Sequence, residues 1–289
     1  MYLPDFEYHA PESIAEACQL LAQYGERAKV ISGGTDLLVK MKHGVLAPEV
    51  LVSLKNLDQL KKIEYVPGKG VVIGARATHN EIVNSEILHK KYLSVSEAAH
   101  QMAANQVRNA GTIGGNICNA VPSADLPPIL IALNAKVKVV GVNGERTFDL
   151  EEIFVGPGKT NLAQDEIITE VIIPDQETTG STYIKFGLRR AGALAVVGVA
   201  VAVKVVNNII EDARVVLGAV APVPMRAKEA EKFLKGKEVS DEVLAEAGVI
   251  ASRECKPISD IRASEEYRRD MVRVFTKRAL RKAIDNGHV

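Results

Sequence analysis

Two glycine-rich segments hold the residue types best suited to chemistry. The first is Ser32-Gly33-Gly34-Thr35-Asp36, reached through the β-rich run Ala28-Lys29-Val30-Ile31 and followed by a helix-like run. A strand, a glycine turn and a helix start in succession offer backbone N–H groups to an anion. Glycine there permits positive φ and close approach of the main chain. The same residues also suit a plain strand-to-helix turn. Asp36 puts negative charge at the helix start, so its carboxylate is expected to cap backbone amides or to face away from any phosphate. The second segment is Gly111-Thr112-Ile113-Gly114-Gly115-Asn116. It is not GxGxxG, so a Rossmann reading is not supported. It again suits main-chain contacts to phosphate, with Thr112 and Asn116 as side-chain donors. Asp125 stands further on at a helix start, either as an N-cap carboxylate or as the partner of a ribose hydroxyl.

Other patterns with catalytic associations fall away. Gly156-Pro157-Gly158-Lys159-Thr160 contains Gly-Lys-Thr, but a P-loop needs glycine where Ile153 stands and a helix afterwards. It is expected to be a loop. His79 has no second histidine, HExxH spacing or nucleophile motif beside it, so a hydrogen-bonding role at a helix start is expected. No GxSxG nucleophile elbow occurs. No catalytic acid, base or nucleophile and no metal site is therefore assigned. Cys18, Cys118 and Cys255 lie far apart without CxxC spacing. This argues against a disulfide framework or an autonomous zinc or iron–sulfur site, and suits buried thiols in a reducing cytoplasm.

Lys and Arg together number 36, as do Asp and Glu, so nothing points to nucleic acid as a partner. Residues 1–13 lack a basic stretch followed by an apolar core, and no secretory signal is expected. The longest nearly apolar run, Ala191 to Val203, contains two glycines and is too short to span a bilayer. It reads as a buried strand. The last helix carries Arg268, Arg269, Arg273, Lys277, Arg278, Arg281 and Lys282. Such a run is either a solvated helix face or a docking surface for an acidic partner.

The elements that must position these segments form three units. In the first, Ile14, Cys18, Leu21 and Ala22 recur at helical spacing before the stop at Gly25. A strand at 28–31, a helix at 37–43 closed by Gly44 and a β-rich run at 49–54 complete it. The second begins near Leu57, with a hairpin at 63–66 and 71–75 around Pro67-Gly68-Lys69-Gly70. Helices at 78–84 and 93–104 precede the second glycine segment. Pro127-Pro128 opens an apolar helix through Leu133, then come a hairpin at 136–142 turning at Asn143-Gly144 and a strand at 167–173. Residues 176–181 are polar and turn-rich, a boundary. The third unit has β-rich runs at 182–189, 195–206 and 209–218, then helices near 225–234, 240–253 and 264–286, the α+β order.

The glycine segments, with Pro122-Ser123-Ala124-Asp125, Asp165-Glu166-Ile167-Ile168 and Tyr183-Ile184-Lys185, closely resemble one family over nearly the whole chain. It is the FAD-binding subunit or domain of xanthine dehydrogenases, aerobic carbon monoxide dehydrogenases and related molybdenum hydroxylases. The resemblance implies an α+β fold. Residues 1–176 would be a FAD-binding domain of the vanillyl-alcohol-oxidase or p-cresol-methylhydroxylase type, with subdomains of about 1–55 and 56–176. Residues 177–289 would be the family's C-terminal domain, a three-stranded antiparallel sheet with helices. FAD would lie between the subdomains, with the C-terminal domain closing over part of it.

The resemblance also implies roles. Lys29, Val30, Ile31, Ser32, Gly33, Gly34, Thr35 and Asp36 would bind the pyrophosphate and adjoining parts of FAD. Gly111, Thr112, Ile113, Gly114, Gly115 and Asn116 would add main-chain and side-chain hydrogen bonds, and Asp125 would bind the adenosine side. Ile168 and Lys185 match further FAD-contacting positions, and Met102 falls where some members place an aromatic residue near the flavin. No histidine lies in or beside either glycine segment and Cys118 reads as a small packed residue, so non-covalent FAD is expected. The molybdenum cofactor would sit on a large partner subunit and two 2Fe-2S clusters on a small one. Electrons would pass from the clusters through FAD to NAD⁺, a quinone or oxygen. Two other readings stand beside this one. A stand-alone flavoenzyme would need a catalytic base and a substrate-capping domain, and neither is evident. A nucleotide-binding scaffold would show no flavin reduction.

Overall fold

Three hydrophobic cores organise the chain. The computed structural model describes residues 2–189 and 192–286. The first lobe contains β1 (Glu7–His9), α1 (Ile14–Tyr24), β2 (Ala28–Ile31), α2 (Leu37–Lys42) and β3 (Val50–Ser53). Its strands form a parallel sheet in the order β1-β3-β2. Ser13 starts α1 by accepting the Glu16 N–H, and Gly25 ends it at φ 54°. The helical spacing between puts Ala17, Cys18 and Leu21 on one face, against Val50 and Val52 of β3. That packing fixes β2, and hence where the turn after it emerges.

The second lobe runs through β4 (Ile63–Val66), β5 (Gly70–Gly74), α3 (His79–Val83), α4 (Glu86–Lys91), α5 (Leu93–His100), α6 (Asn105–Ala110), α7 (Ile113–Asn119) and α8 (Leu126–Ala132). Strands β6 (Lys136–Gly141), β7 (Gly144–Asp149), β8 (Phe154–Gly156), β9 (Lys159–Thr160) and β10 (Ile167–Ile173) complete it. Five of these make an antiparallel sheet, β4-β5-β10-β6-β7. The second glycine segment, given no element in the sequence reading, runs into helix α7, and further differences from that reading appear here. The helix expected over 93–104 stops at His100, and α6 follows as a separate helix, because Ala103 takes φ 44° between them. Helix α4 was not anticipated. The Gly-Lys-Thr segment is not an irregular loop but the β8–β9 hairpin, with Gly158 at φ 69° in its turn.

The third domain comprises β11 (Gly180–Gly187), β12 (Ala195–Val206), β13 (Ile209–Gly218), β14 (Met225–Arg226), α9 (Lys228–Leu234), α10 (Asp241–Glu254) and α11 (Glu265–Asp285). The three long strands pair antiparallel as expected. The sheet nevertheless has a fourth, two-residue strand, because Met225 and Arg226 pair with β13 before the helix starts. Strand β12 explains the apolar run. Ala200 and Ala202 face the second lobe's core, while Val197, Val199, Val201 and Val203 face the third domain's own core, where α11 packs on β12. Alternation on a strand buried on both faces gives a continuous apolar sequence. Ala191 of that run lies outside the described residues. Small residues on one face let α8 approach closely: a Cβ on Gly218 would lie 2.9 Å from Pro128.

The basic face of α11 is largely neutralised within the chain. Lys277 and Arg281 pair with Asp241, Lys282 with Glu97, and Arg269 with Glu265. Arg268 is buried, donating to Val196 and Ala219 carbonyls and to Asp260. Among the described residues no helix is long and apolar enough to cross a membrane.

Candidate functional site: a cleft between the two lobes

Both glycine segments open onto one cavity of about 440 Å³. Its walls include Val30 to Asp36 from the first lobe, Thr112, Gly114, Gly115, Asn116 and Asp125 from the second, and Ile168 of β10. Met102 also lines it. Four of the residues singled out from sequence do not: Lys29, Gly111, Ile113 and Lys185. Lys29 lies one residue back in β2, and Ile113 is fully buried in the second lobe's core.

The glycines have separate tasks. A Cβ on Gly33 would stand 1.9 Å from the carbonyl oxygen of Ala110, so this glycine lets one segment rest on the backbone leading into the other. Gly34 takes φ 70°, which a side chain would strain. Gly114 turns toward β5, donating to the Ala75 carbonyl at 2.9 Å, and a Cβ there would meet Ala75 within 3 Å. Gly115 is exposed on the cavity wall. It offers a main-chain surface with nothing above it but the neighbouring Thr112 hydroxyl.

Several side chains act differently from their sequence-based roles. Thr112 is an acceptor as well as a hydroxyl: its Oγ1 takes the Gly115 N–H at 3.2 Å and caps α7. Asn116 donates through Nδ2 to the Met102 sulfur at 3.6 Å, and its Oδ1 is buried without a partner. Asp36 is exposed and caps no amide of α2. The His79 ring does not serve the helix start, because Thr78 and Glu81 already form a capping box there. Its backbone N–H goes to the Gly111 carbonyl at 3.0 Å, and Nδ1 has no partner. Burial, with help from the Arg108 charge, pushes its pKa down to about 4, so the ring is neutral at pH 7. Cys118 is not packed away: it is exposed on the cavity side of α7. The helical period explains this, since Gly115, Cys118 and Asn119 share the outer face while Gly114 and Ile117 face the core.

Asp125 is 3% exposed and, despite standing first before α8, caps nothing. Its Oδ1 accepts from the Tyr183 hydroxyl at 2.8 Å and its Oδ2 from the Lys185 ammonium at 2.7 Å. Burial raises the carboxyl above its ordinary range, and Lys185 and Tyr183 pull it part of the way back. Lys185 also donates to the Gln101 carbonyl at 3.1 Å, steadying the loop that carries Met102. The third domain thus reaches the site through β11. It also contributes Gly192, Ala193 and Leu194 to the wall, a contribution that no sequence signal marked. Among the described residues no cluster of His, Cys, Asp and Glu could hold a metal ion.

Such a site, a glycine-floored cleft between two α/β lobes with a third domain reaching in, fits a ligand that is both phosphorylated and extended. Main-chain surface at Gly33 to Thr35 and Gly115, an unpartnered Asn116 oxygen and apolar walls at Val30, Met102 and Ile168 suit a flavin dinucleotide. Comparison with known proteins gives the class its family. Residues 4–176 match the FAD binding domain in molybdopterin dehydrogenase, and residues 182–283 match the CO dehydrogenase flavoprotein C-terminal domain. The chain belongs to this family of oxidoreductase flavoprotein subunits. It is 37% identical over 280 residues to the nicotine 6-hydroxylase medium subunit of Paenarthrobacter nicotinovorans, covering 97% of this chain and 98% of that one. It is 34% identical over 281 residues to the glyceraldehyde dehydrogenase medium chain of Sulfolobus acidocaldarius, covering 97% and 99%. Among solved structures, carbon monoxide dehydrogenase from Hydrogenophaga pseudoflava superimposes with a TM-score of 0.95 at 36% identity over 99% of both chains.

Proposed function

We propose that this chain is the FAD-binding electron-transfer subunit of a molybdenum hydroxylase complex. FAD, when bound, would supply two-electron redox chemistry between 2Fe-2S clusters on a small partner subunit and NAD or another acceptor. The molybdenum cofactor belongs to a large partner subunit. The observation that carries the reading is the convergence of both glycine segments on one cleft, sealed where Gly33 rests on Ala110.

This chain's residues bind and orient. The Ser32–Asp36 turn and Gly115 present main chain to the diphosphate, with Lys29 behind the turn. Gly111 and Ile113 set the second segment in place, packed on His79 and in the core. Thr112 and Asn116 supply polar contacts, and Met102 and Ile168 supply apolar ones. Lys185 acts through Asp125 at the same wall. The relatives act on nicotine, glyceraldehyde and carbon monoxide by their names, yet this chain resembles all three to a similar degree. Substrate choice therefore belongs to the large subunit. The three free thiols agree with a cytoplasmic location.

The test is direct. The purified chain, alone and co-expressed with its partners, is loaded with FAD, freed of excess and scanned, then denatured in acid and spun. A two-banded flavin spectrum with colour left in the supernatant is expected. Colour in the pellet would mean a covalent link and implicate Cys118. Absence of flavin from both preparations would overturn the reading.

A further inference from the structure

We propose that Lys40 is the counter-charge for the diphosphate of the bound dinucleotide, held in readiness by Asn119. The inference rests on the functional reading above and assigns a residue that neither glycine motif contains.

The charges on the cavity wall make the case. Among the described residues its charged side chains are Asp36, Lys40, Asp125 and Glu166. Asp125 is satisfied by Lys185, whose ammonium is turned to that carboxylate and to the Gln101 carbonyl. Glu166 is held by Nε and Nη2 of Arg146, each at 2.8 Å, and by the Ala163 N–H, and these hold its carboxyl below the usual range. Asp36 adds a further negative charge. Without Lys40 this wall would repel a ligand carrying two phosphates.

The position of Lys40 is unusual for a surface lysine. It stands four residues after Asp36 on α2, its backbone N–H bonded to the Asp36 carbonyl, so the two side chains share one helix face. That spacing normally pairs acid with base. Lys40 instead reaches out of the first lobe to the second, donating to Asn119 Oδ1 at 2.7 Å. Among the described residues it makes no ion pair, only this bond to a neutral amide. A half-buried lysine with no counter-ion among the described residues, bridging both walls of the cleft, is placed to exchange a weak partner for an anion.

Flavin binding to the full chain tests this, by fluorescence titration with FAD and with riboflavin, which lacks phosphate. Lys40→Met is expected to weaken FAD by roughly 10- to 100-fold, the range of a charge-assisted hydrogen bond. Riboflavin binding should be unchanged, and the salt dependence of FAD affinity should flatten. Lys40→Arg should retain most of the affinity. Lys40→Gln serves if the methionine variant fails a thermal-melt check. Unchanged FAD affinity in the neutral variants would overturn the proposal, as would equal losses for FAD and riboflavin. A wild-type chain that retains no flavin, alone or in complex, would overturn both this and the function it rests on.

Discussion

Gly33 and Ala110 meet backbone to backbone: a Cβ on Gly33 would stand 1.9 Å from the Ala110 carbonyl oxygen and 2.6 Å from its carbonyl carbon. The first glycine of the first motif is thus needed by the protein itself. It closes the floor of the cleft by letting the turn after β2 lie on the end of α6. Gly115 is the reverse case, exposed to the cavity and crowded only by the Thr112 hydroxyl at 3.1 Å.

The two glycines should therefore fail differently. Gly33→Ala forces two backbones apart and is expected to cost roughly 1–3 kcal/mol of stability, and flavin retention with it. Gly115→Ala lies in the first turn of α7, where alanine is the better helix former by up to about 1 kcal/mol. It should hold or raise stability while lowering FAD affinity. Urea unfolding beside flavin retention separates the two, and a Gly115→Ala chain that unfolds early would refute the division of labour.

Much of the architecture was legible because it rests on local pattern. The periodicity of α1, the turn after β2 and the continuous apolar run of β12 each follow from neighbours in sequence. What escaped reading depends on distant partners. Asp125 has the sequence position of a cap, but Tyr183 and Lys185 arrive from another domain and claim both its oxygens. Cys118 reads as a small core residue until the phase of α7 turns it outward. Lys40 carries no mark in the sequence, and nothing near it there points to Asn119.

The exposed position of Cys118 gives a simple readout of occupancy. Cys18 and Cys255 are each 1% exposed, whereas Cys118 lines the cleft. Desolvation on the cavity wall pushes the Cys118 thiol up to about 12, so in the native chain one thiol should react, slowly, with a chromogenic disulfide reagent, and all three should react fast after denaturation. Saturating FAD should slow the native reaction, and an equal rate with and without FAD would place the cofactor elsewhere.

His79 should make stability depend on pH in a defined window. In the unfolded chain it takes a proton near pH 6.5, whereas burial and Arg108 hold the folded ring neutral down to about 4. Between those values the unfolded state binds the extra proton, so stability falls as pH falls. At about 1.4 kcal/mol per pH unit, the loss approaches roughly 3 kcal/mol at pH 4 and then stops growing. His79→Leu should remove this slope. The comparison is the difference in urea midpoint between wild type and variant at pH 7 and pH 4.5. A constant difference would mean that the ring gains its proton in the fold as easily as in water.

The Asp125–Lys185 pair joins the second lobe to the third domain and supports the Met102 loop through Gln101. Removing one partner strands the other's charge in a buried setting, so Lys185→Met is expected to cost roughly 3–5 kcal/mol. Adding Asp125→Asn in the same chain removes the stranded carboxylate, keeps an acceptor for Tyr183 and should restore a large part of the loss. Tyr183→Phe removes a single buried hydrogen bond to a carboxylate and should cost roughly 1.5–3 kcal/mol. A double-mutant cycle by urea unfolding reads these terms. If Lys185→Met and Asp125→Asn are additive, the ion pair contributes nothing specific, and the two domains are held together by their other contacts, among them α8 on β12 and β13, α5 on β11 and the Lys282–Glu97 pair.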